Sequence, residues 1–279
     1  MGGHVIAVNM VSHETPNKQL FRNSITDTDE ALRNVGAFPR LKRLLLMKGQ
    51  ATDEGFRAVA GLADLEEIYV WDGAGLTDAG IKHLTGLTKL RSLHFSNGQL
   101  GDDALAVFGR LPNLRRLSLQ GNAFTDTGLK HLSALTQLED LWIGKNKRPI
   151  TDAGIRNLVG LSRLRQLDLQ DAKLDDPGVA LLRNMKELRD LYLTSQTGPR
   201  AVSDASVEVL SGLTKLNHLI VNNTRLSETG VRRLLALNSL QSLGLTSTEI
   251  PMDRWDVWDA FRQIRPDLEL NGSKLSPSK

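Results

Sequence analysis

The sequence predicts an α/β solenoid, in which parallel strands line a concave face and short helices a convex one, giving a curved horseshoe segment. Three observations carry this. Leu41, Leu65, Leu90, Leu114, Leu138, Leu164, Leu188, Leu216 and Leu240 each open an L-x-x-L-x-L phrase, at steps of 24, 25, 24, 24, 26, 24, 28 and 24 residues. A self-similar period of about 20–29 residues marks a stack of repeated units. The fourth and sixth positions of each phrase are aliphatic or aromatic, as in Leu44/Leu46, Ile68/Val70, Leu93/Phe95 and Leu167/Leu169, and that period of two is a strand with one buried face. Beyond a turn, Ile81/Leu84/Leu87, Leu129/Leu132/Leu135 and Ile155/Leu158/Leu161 place an apolar stripe on a helix of about two turns. No unit can bury both stripes alone, so neighbouring coils must stack and share a core.

Between strand and helix lies a recurring start signal: Thr52-Asp53, Thr77-Asp78, Thr125-Asp126, Thr151-Asp152, Ser203-Asp204 and Ser227-Glu228. The hydroxyl caps free backbone N–H groups, and the acid meets the positive end of the helix dipole. The acids Asp53, Asp78, Asp102, Asp126, Asp152 and Asp176 should form a column, explained by capping rather than by cation binding. Gly55, Gly80, Gly128, Gly154, Gly178 and Gly230 follow two residues later, where helix propensity disfavours glycine; close approach of adjacent coils explains them. Strands stack about 4.8 Å apart and helices about 8–10 Å apart, so the strand side should be concave.

The phrases Thr77-Asp78-Ala79-Gly80-Ile81-Lys82-His83-Leu84 and Gly86-Leu87-Thr88-Lys89-Leu90-Arg91-Ser92-Leu93 resemble bacterial leucine-rich repeats with TDAGL-type helices, in the ribonuclease-inhibitor-like class. The resemblance implies an architecture and no particular ligand. It departs from that pattern at the ninth position, where only Asn122 and Asn146 match and Gly49, Gly73, Gly98, Ala172, Thr224 and Thr248 stand elsewhere. A continuous asparagine ladder is not expected; threonine hydroxyls should satisfy part of that turn.

Composition narrows the function classes. Net charge is +3 from 35 Lys and Arg against 32 Asp and Glu, and the charges are mixed along the chain, which disfavours nucleic acid as a partner. The longest aliphatic stretch, Leu44 to Met47, is far short of the ~20 residues of a spanning helix. No secretory signal is visible in Met1 to Met10, so a cytoplasmic location is favoured, and Met1-Gly2-Gly3 leaves export open if the start has been trimmed. The absence of cysteine excludes disulfides and thiolate metal sites and fits either compartment.

One continuous domain is expected, with an N-terminal cap over 1–40, about nine repeats over 41–248 and a C-terminal cap over 249–279. Val5, Val8 and Met10 read as a degenerate first strand, followed by a polar insertion from Val11 to Asn23 and a helix near Asp27 to Val35. At the other end Pro251 sets a helix start, and Trp255, Trp258, Phe261 and Ile264 form a stripe that lids the last coil.

Strand positions three, five and seven point outward on the concave face. The candidate partner-binding residues there are Tyr69, Trp71, His94, Arg116, Trp142, Asp168, Asp190 and Tyr192. The aromatics are candidate hot spots, because they supply large contact area at low entropic cost. Position-two and position-three charges alternate in sign, with Lys42, Glu66 and Arg91, then Arg43 with Glu67 and Arg116 with Asp140, and should pair across strands. Asp168 and Asp190 have fewer obvious partners and are better placed for a ligand. The longer loops fall on one rim, at Gly73 to Gly75, Lys145 to Pro149 and Thr194 to Val202; Lys145, Lys147 and Arg148 form a basic loop that could meet phosphate or an acidic partner.

No catalytic motif emerges: there is no H-E-x-x-H, phosphate loop, G-x-S-x-G elbow or dinucleotide turn. His94 and His218 lie five coils apart, about 24 Å at strand spacing, too far to share a substrate atom. The expectation is a non-enzymatic, monomeric module without cofactor or membrane segment, holding a protein or peptide partner on its concave face. The alternative is glycan or cell-wall polymer recognition by the same aromatics.

Overall fold

The computed structural model describes residues 5–9, 28–47, 51–194, 201–251 and 253–270. Among these residues eleven strands follow one another in chain order: β1 (Val5–Asn9), β2 (Arg43–Met47), β3 (Glu67–Trp71), β4 (Ser92–Phe95), β5 (Arg116–Ser118), β6 (Asp140–Trp142), β7 (Gln166–Asp168), β8 (Asp190–Tyr192), β9 (His218–Ile220), β10 (Ser242–Gly244) and β11 (Glu269–Leu270). Helices α1 (Thr28–Val35), α2 (Asp53–Phe56), α3 (Asp78–Ile81), α4 (Asp102–Phe108), α5 (Asp126–Leu129), α6 (Asp152–Arg156), α7 (Asp176–Ala180), α8 (Val207–Ser211), α9 (Glu228–Leu234) and α10 (Trp255–Ile264) alternate with them. Two compact units result: Met1–Leu141 with Asn146–Arg148, and Trp142–Lys145 with Pro149–Lys279.

In the first unit β2 to β5 are parallel and in repeat register, Leu44 beside Ile68, Ile68 beside Leu93 and Leu93 beside Leu117. Leu44, Leu46, Ile68, Val70, Leu117 and Leu119 are fully buried, so alternation along each strand sorts core from surface as the lettering requires. Phe56 meets Phe95 edge-on and Phe95 stacks on Phe108, at centroid separations of 6.0 and 5.8 Å; these rings fill the core between strands and helices. The degenerate first strand is present as β1 but runs antiparallel to β2, with Val5 opposite Met47. It lacks the leading leucine and turn of the repeat, so it caps the edge without forming a coil. Helix α1 buries Leu32 and Val35 and packs against α2. Met10 and the insertion from Val11 to Asn23 lie outside the described residues.

The expected helices of about two turns are found in α4 and α9, of seven residues each. In three other coils the expectation is corrected, because one α-helical turn passes into a 3₁₀ turn: α2 into Arg57–Gly61, α3 into Lys82–Leu84, α5 into Lys130–Ala134. The apolar spacing is three, the period of a 3₁₀-helix rather than 3.6, and Ile81, Leu84 and Leu87 are all buried on it.

The helix-start acids do more than face their own dipoles. Asp53 Oδ1 accepts the Thr77 and Gly80 N–H groups of the next coil at 2.8 and 2.9 Å, and its Oδ2 accepts the Thr77 hydroxyl at 2.6 Å. Asp102 holds Thr125 in the same way, through N–H and hydroxyl at 2.7 Å each. In the second unit Asp176 takes the Ser203 N–H and hydroxyl at 2.8 and 2.6 Å, and Asp204 those of Ser227 at 2.9 and 2.5 Å. Each carboxylate thus locks the N-cap of the following coil with charge-assisted hydrogen bonds, about twice as strong as neutral ones.

In the repeats whose eighth position is described, that residue is left-handed: Asp72, Asn97, Gly121, Lys145, Asp171, Asn223 and Ser247 have φ between 54° and 73°. At the ninth, Asn122 is buried and donates to the Phe95 and Leu119 carbonyls at 2.8 and 2.9 Å. Thr224 Oγ1 donates to the Val221 carbonyl at 2.9 Å, and Thr248 Oγ1 accepts the Ile250 N–H at 3.3 Å. Threonine does stand in for asparagine.

In the second unit β7 to β11 are parallel, with Leu167 beside Leu191, Leu191 beside Leu219, Leu219 beside Leu243 and Leu243 beside Leu270. Strand β11 was not anticipated; the alternation Leu268-Glu269-Leu270 signals it. In the cap helix α10, which starts at Trp255 rather than at Pro251, Val257, Trp258 and Phe261 are buried, but Trp255 is 60% and Ile264 49% exposed. Residues three apart drift by about 60° on a 3.6-residue helix, so a run of four such positions turns through half the circumference. Only its middle faces the core.

Candidate functional site

On the strand face of the first unit, the outward fifth and seventh positions bring Tyr69 and Trp71 of β3 against His94 of β4. Tyr69 and Trp71 stack at 5.5 Å and 16°, Tyr69 and His94 at 6.0 Å and 22°, and Trp71 and His94 lie 5.0 Å apart at 37°. The Tyr69 hydroxyl lies 3.1 Å from Ser92 Oγ, which fixes its ring. Burial holds the His94 pKa below the ordinary histidine value, so the imidazole is neutral at pH 7 and packs as a third flat ring. Among the described residues nothing hydrogen-bonds to its buried Nε2.

Two guanidinium groups frame this stack by converging on one carboxylate. Arg43 reaches Glu67 with Nε at 3.0 Å and Nη2 at 3.1 Å, and Arg116 Nη2 reaches it at 3.4 Å. The pairing of Arg116 expected from the lettering was with its neighbour Asp140; the contact to Glu67 skips a coil. The small Ser92 between them leaves room for it. Glu67 is 14% exposed, the arginine side chains 46% and 48%. Arg43, Leu45, Glu67, Tyr69, Trp71 and Arg116 line a pocket of about 310 Å³. Elsewhere the charge ladder closes on itself, as expected: Lys42 pairs with Glu66 at 2.9 Å and Arg115 with Glu139 at 2.7 Å. The hydrogen bond from Lys42 holds the Glu66 carboxyl below its ordinary pKa.

In the second unit Trp142 and Tyr192 are partly exposed at their strand positions. Burial, with Asp190 and Asp168 nearby, raises the Tyr192 pKa and keeps the phenol neutral. Asp168 and Asp190, expected to have fewer obvious partners than the other charges of this face, are both engaged. Asp168 is 2% exposed, and its Oδ1 accepts the Gln170 N–H at 2.9 Å. It occupies the space a side chain at Gly144 would fill, so that glycine at position seven was the available signal. Asp190 Oδ2 accepts Gln166 Nε2 at 2.6 Å, and its Oδ1 lies 3.9 Å from His218 Nε2.

The basic loop is also partly committed to structure. Lys147 Nζ donates to the Gly98 carbonyl at 2.6 Å, and Asn146 Nδ2 to the Phe124 and Arg148 carbonyls at 2.7 Å each. Residues 195–200 of the longest rim loop lie outside the described residues. Among the described residues no helix is long and apolar enough to cross a membrane, and no group of three or more His, Asp or Glu is placed to hold a metal ion.

Residues 110–133 match the leucine rich repeat family model. No curated protein matches the chain. Among solved structures, the chain is similar to an internalin (inlF) from Listeria monocytogenes str. 4b F2365, at 21% identity over 88% of this chain and 71% of that one, with a TM-score of 0.61. An internalin C2 (inlC2) from the same strain aligns at 20% identity over 78% of this chain and 92% of that one, TM-score 0.51. A TDR receptor aligns at 18% identity over 85% of this chain and 39% of that one, TM-score 0.56. At these identities the likeness is one of architecture, and together with the nine repeated phrases it gives the chain the fold of a leucine-rich-repeat solenoid.

Proposed function

We propose that the chain is a non-enzymatic protein-interaction module, and that the strand face of its first unit receives the partner at Tyr69, Trp71 and His94. One observation carries this reading: three flat rings, stacked on one another and partly exposed, sit beside a pocket on a rigid parallel sheet. Preformed aromatic anchors lose little entropy on binding, which is why such residues dominate interface energetics. The same pocket is poorly suited to acid–base chemistry, since its one carboxylate, Glu67, is held by two guanidinium groups. The similarity to internalins and a receptor supports the reading as an analogy of fold. Trp142 and Tyr192 belong to the proposal as a separate contact on the second unit.

Immobilised protein should retain a partner from lysate of the native cell, and Trp71→Ala should reduce that retention about tenfold or more, as loss of a hot spot does, with an unchanged melting curve. Trp142→Ala tests the second unit by the same assay. Undiminished retention by Trp71→Ala would remove the site. Recognition of a glycan is the second reading, favoured by the ring stack as a platform for sugar faces; retention that survives protease treatment of the lysate would select it.

A further inference from the structure

We infer that the pocket beside Tyr69 and Trp71 takes an extended acidic-x-aromatic segment of a protein partner: an Asp or Glu carboxylate on Arg43 and Arg116, and an aromatic side chain two residues away on the ring stack. This rests on the interaction reading above and specifies its chemistry.

The charge balance of the pocket comes first. Two guanidinium groups meet a single carboxylate, so its lining carries one uncompensated positive charge. Glu67 is 14% exposed, whereas Arg43 and Arg116 are about half exposed, so the satisfied carboxylate lies underneath and the cations face outward. Each guanidinium has five N–H donors; Glu67 engages Nε and Nη2 of Arg43 and only Nη2 of Arg116. The remaining outward donors suit a carboxylate, which arginine binds with matched planar geometry. His94 adds no charge, because burial keeps it neutral.

Spacing comes second. Arg43 and Glu67 stand at strand position three, and Leu45 and Tyr69 at position five of the same strands. Two residues along a strand are about 6.6 Å. An extended peptide lying along β2 and β3 presents its own residues i and i+2 on one face at that same interval. The outward neighbours Ser96 and Ser118 are small, so among the side chains described a large partner side chain finds its apolar platform at Leu45, Tyr69, Trp71 and His94. A volume of about 310 Å³ holds one or two side chains, the size of an anchor rather than of a folded element.

The test is an array of synthetic decapeptides carrying Glu-x-Phe or Glu-x-Tyr, with Gln-x-Phe and Glu-x-Ser controls. The wild-type protein should bind the acidic aromatic peptides about tenfold more tightly than either control, since a charged hydrogen-bonded contact and an aromatic anchor each contribute at least that much. Higher salt should narrow the difference. Glu67→Gln removes the internal competitor for both guanidinium groups and should tighten Glu-x-Phe binding while leaving Gln-x-Phe unchanged; Arg116→Gln should do the reverse. Equal binding of Gln-x-Phe and Glu-x-Phe by the wild type overturns the acidic inference and leaves the aromatic docking face standing. Peptide binding that ignores Trp71→Ala overturns both. Retention of acidic oligosaccharides with no decapeptide bound overturns the peptide in favour of a carboxylate sugar. Binding of neither overturns this inference, and the lysate assay then decides the docking face separately.

Discussion

At Gly55, Gly80, Gly128, Gly178 and Gly230 the side chain is missing because a carboxylate of the preceding coil occupies its place. A Cβ built on Gly128 would lie 3.1 Å from the Asp102 Cα and would overlap its Oδ1; Gly80 meets Asp53, and Gly230 meets Asp204, in the same manner. The two demands of the repeat are therefore one: the acid must reach the next N-cap, and the residue two positions beyond that coil's own acid must leave it room. Gly128→Ala makes the argument testable through its sign. In an ordinary helix interior the change stabilises by about 1 kcal/mol, but here the overlap should destabilise by about 1–3 kcal/mol, read as a lower urea midpoint at unchanged slope. In an Asp102→Ala background the overlap with the carboxylate disappears and the tight 3.1 Å approach to the Cα remains, so the cost of the same change should fall by most of its value. Equal effects in both backgrounds would show that the carboxylate is not what excludes the side chain.

At the scale of elements, the junction between α6 and α7 departs from the rule that an acid meets a hydroxyl. The N-cap of α7 is Asp175, whose side chain accepts the Gly178 N–H at 3.1 Å, so Asp152 of α6 faces a second carboxyl where other coils present Thr, Ser or, at α4, Gly101. Burial, a hydrogen bond shared with the Asp175 carboxyl and its negative charge push the Asp152 pKa up to about 6, against a weaker opposing field from Arg156. Its Oδ1 is buried without a hydrogen-bond partner. Because the folded-state pKa exceeds the unfolded value of about 3.9, the folded chain binds the extra proton between those two values. The stabilisation is fully present below about pH 4 and is lost as pH rises through 6. Asp176 behaves oppositely: burial would raise it, but the Ser203 and Ser206 hydroxyls outweigh that and lower its pKa, so its contribution is lost on acidification. Asp175→Thr restores the hydroxyl and should raise the melting temperature at pH 7.5 by several degrees, with a much smaller gain at pH 4.5. A gain independent of pH would mean that the two carboxyls do not share the proton.

For the molecule as a whole, what could be read from the sequence was what each coil specifies locally. Strand positions, buried leucines, caps and the outward placement of Tyr69, Trp71 and His94 all follow from a period of two beside a fixed leucine. What escaped depends on a neighbour's size or on a turn. Arg116 pairs with Glu67 because Ser92 is small, Asp168 sinks because Gly144 makes space, and the left-handed eighth residue went unread because Asp, Asn, Gly, Lys and Ser all fill it. The end of the stack follows from a requirement of repeats in general: a coil buries its faces only against a neighbour, so the last must be sealed. In the second unit Trp258 and Phe261 are 3% and 0% exposed; Trp258 Nε1 donates to the Pro251 carbonyl at 3.1 Å, and the Arg232 guanidinium lies 5.4 Å from the Phe261 ring centre. Arg265 closes the carbonyls of Leu235, Leu237 and Leu240 at 3.3, 2.8 and 2.7 Å, while β11 covers the edge of β10. Phe261→Ala should cost about 3–5 kcal/mol, the usual loss for a buried aromatic. Ending the chain after Thr248 should expose Leu234, Leu240 and the β10 edge together, giving concentration-dependent association in size-exclusion chromatography and a broadened melt. If the shortened chain instead stays monomeric and melts in one sharp transition, then the ninth coil seals itself and α10 with β11 is free to serve another purpose.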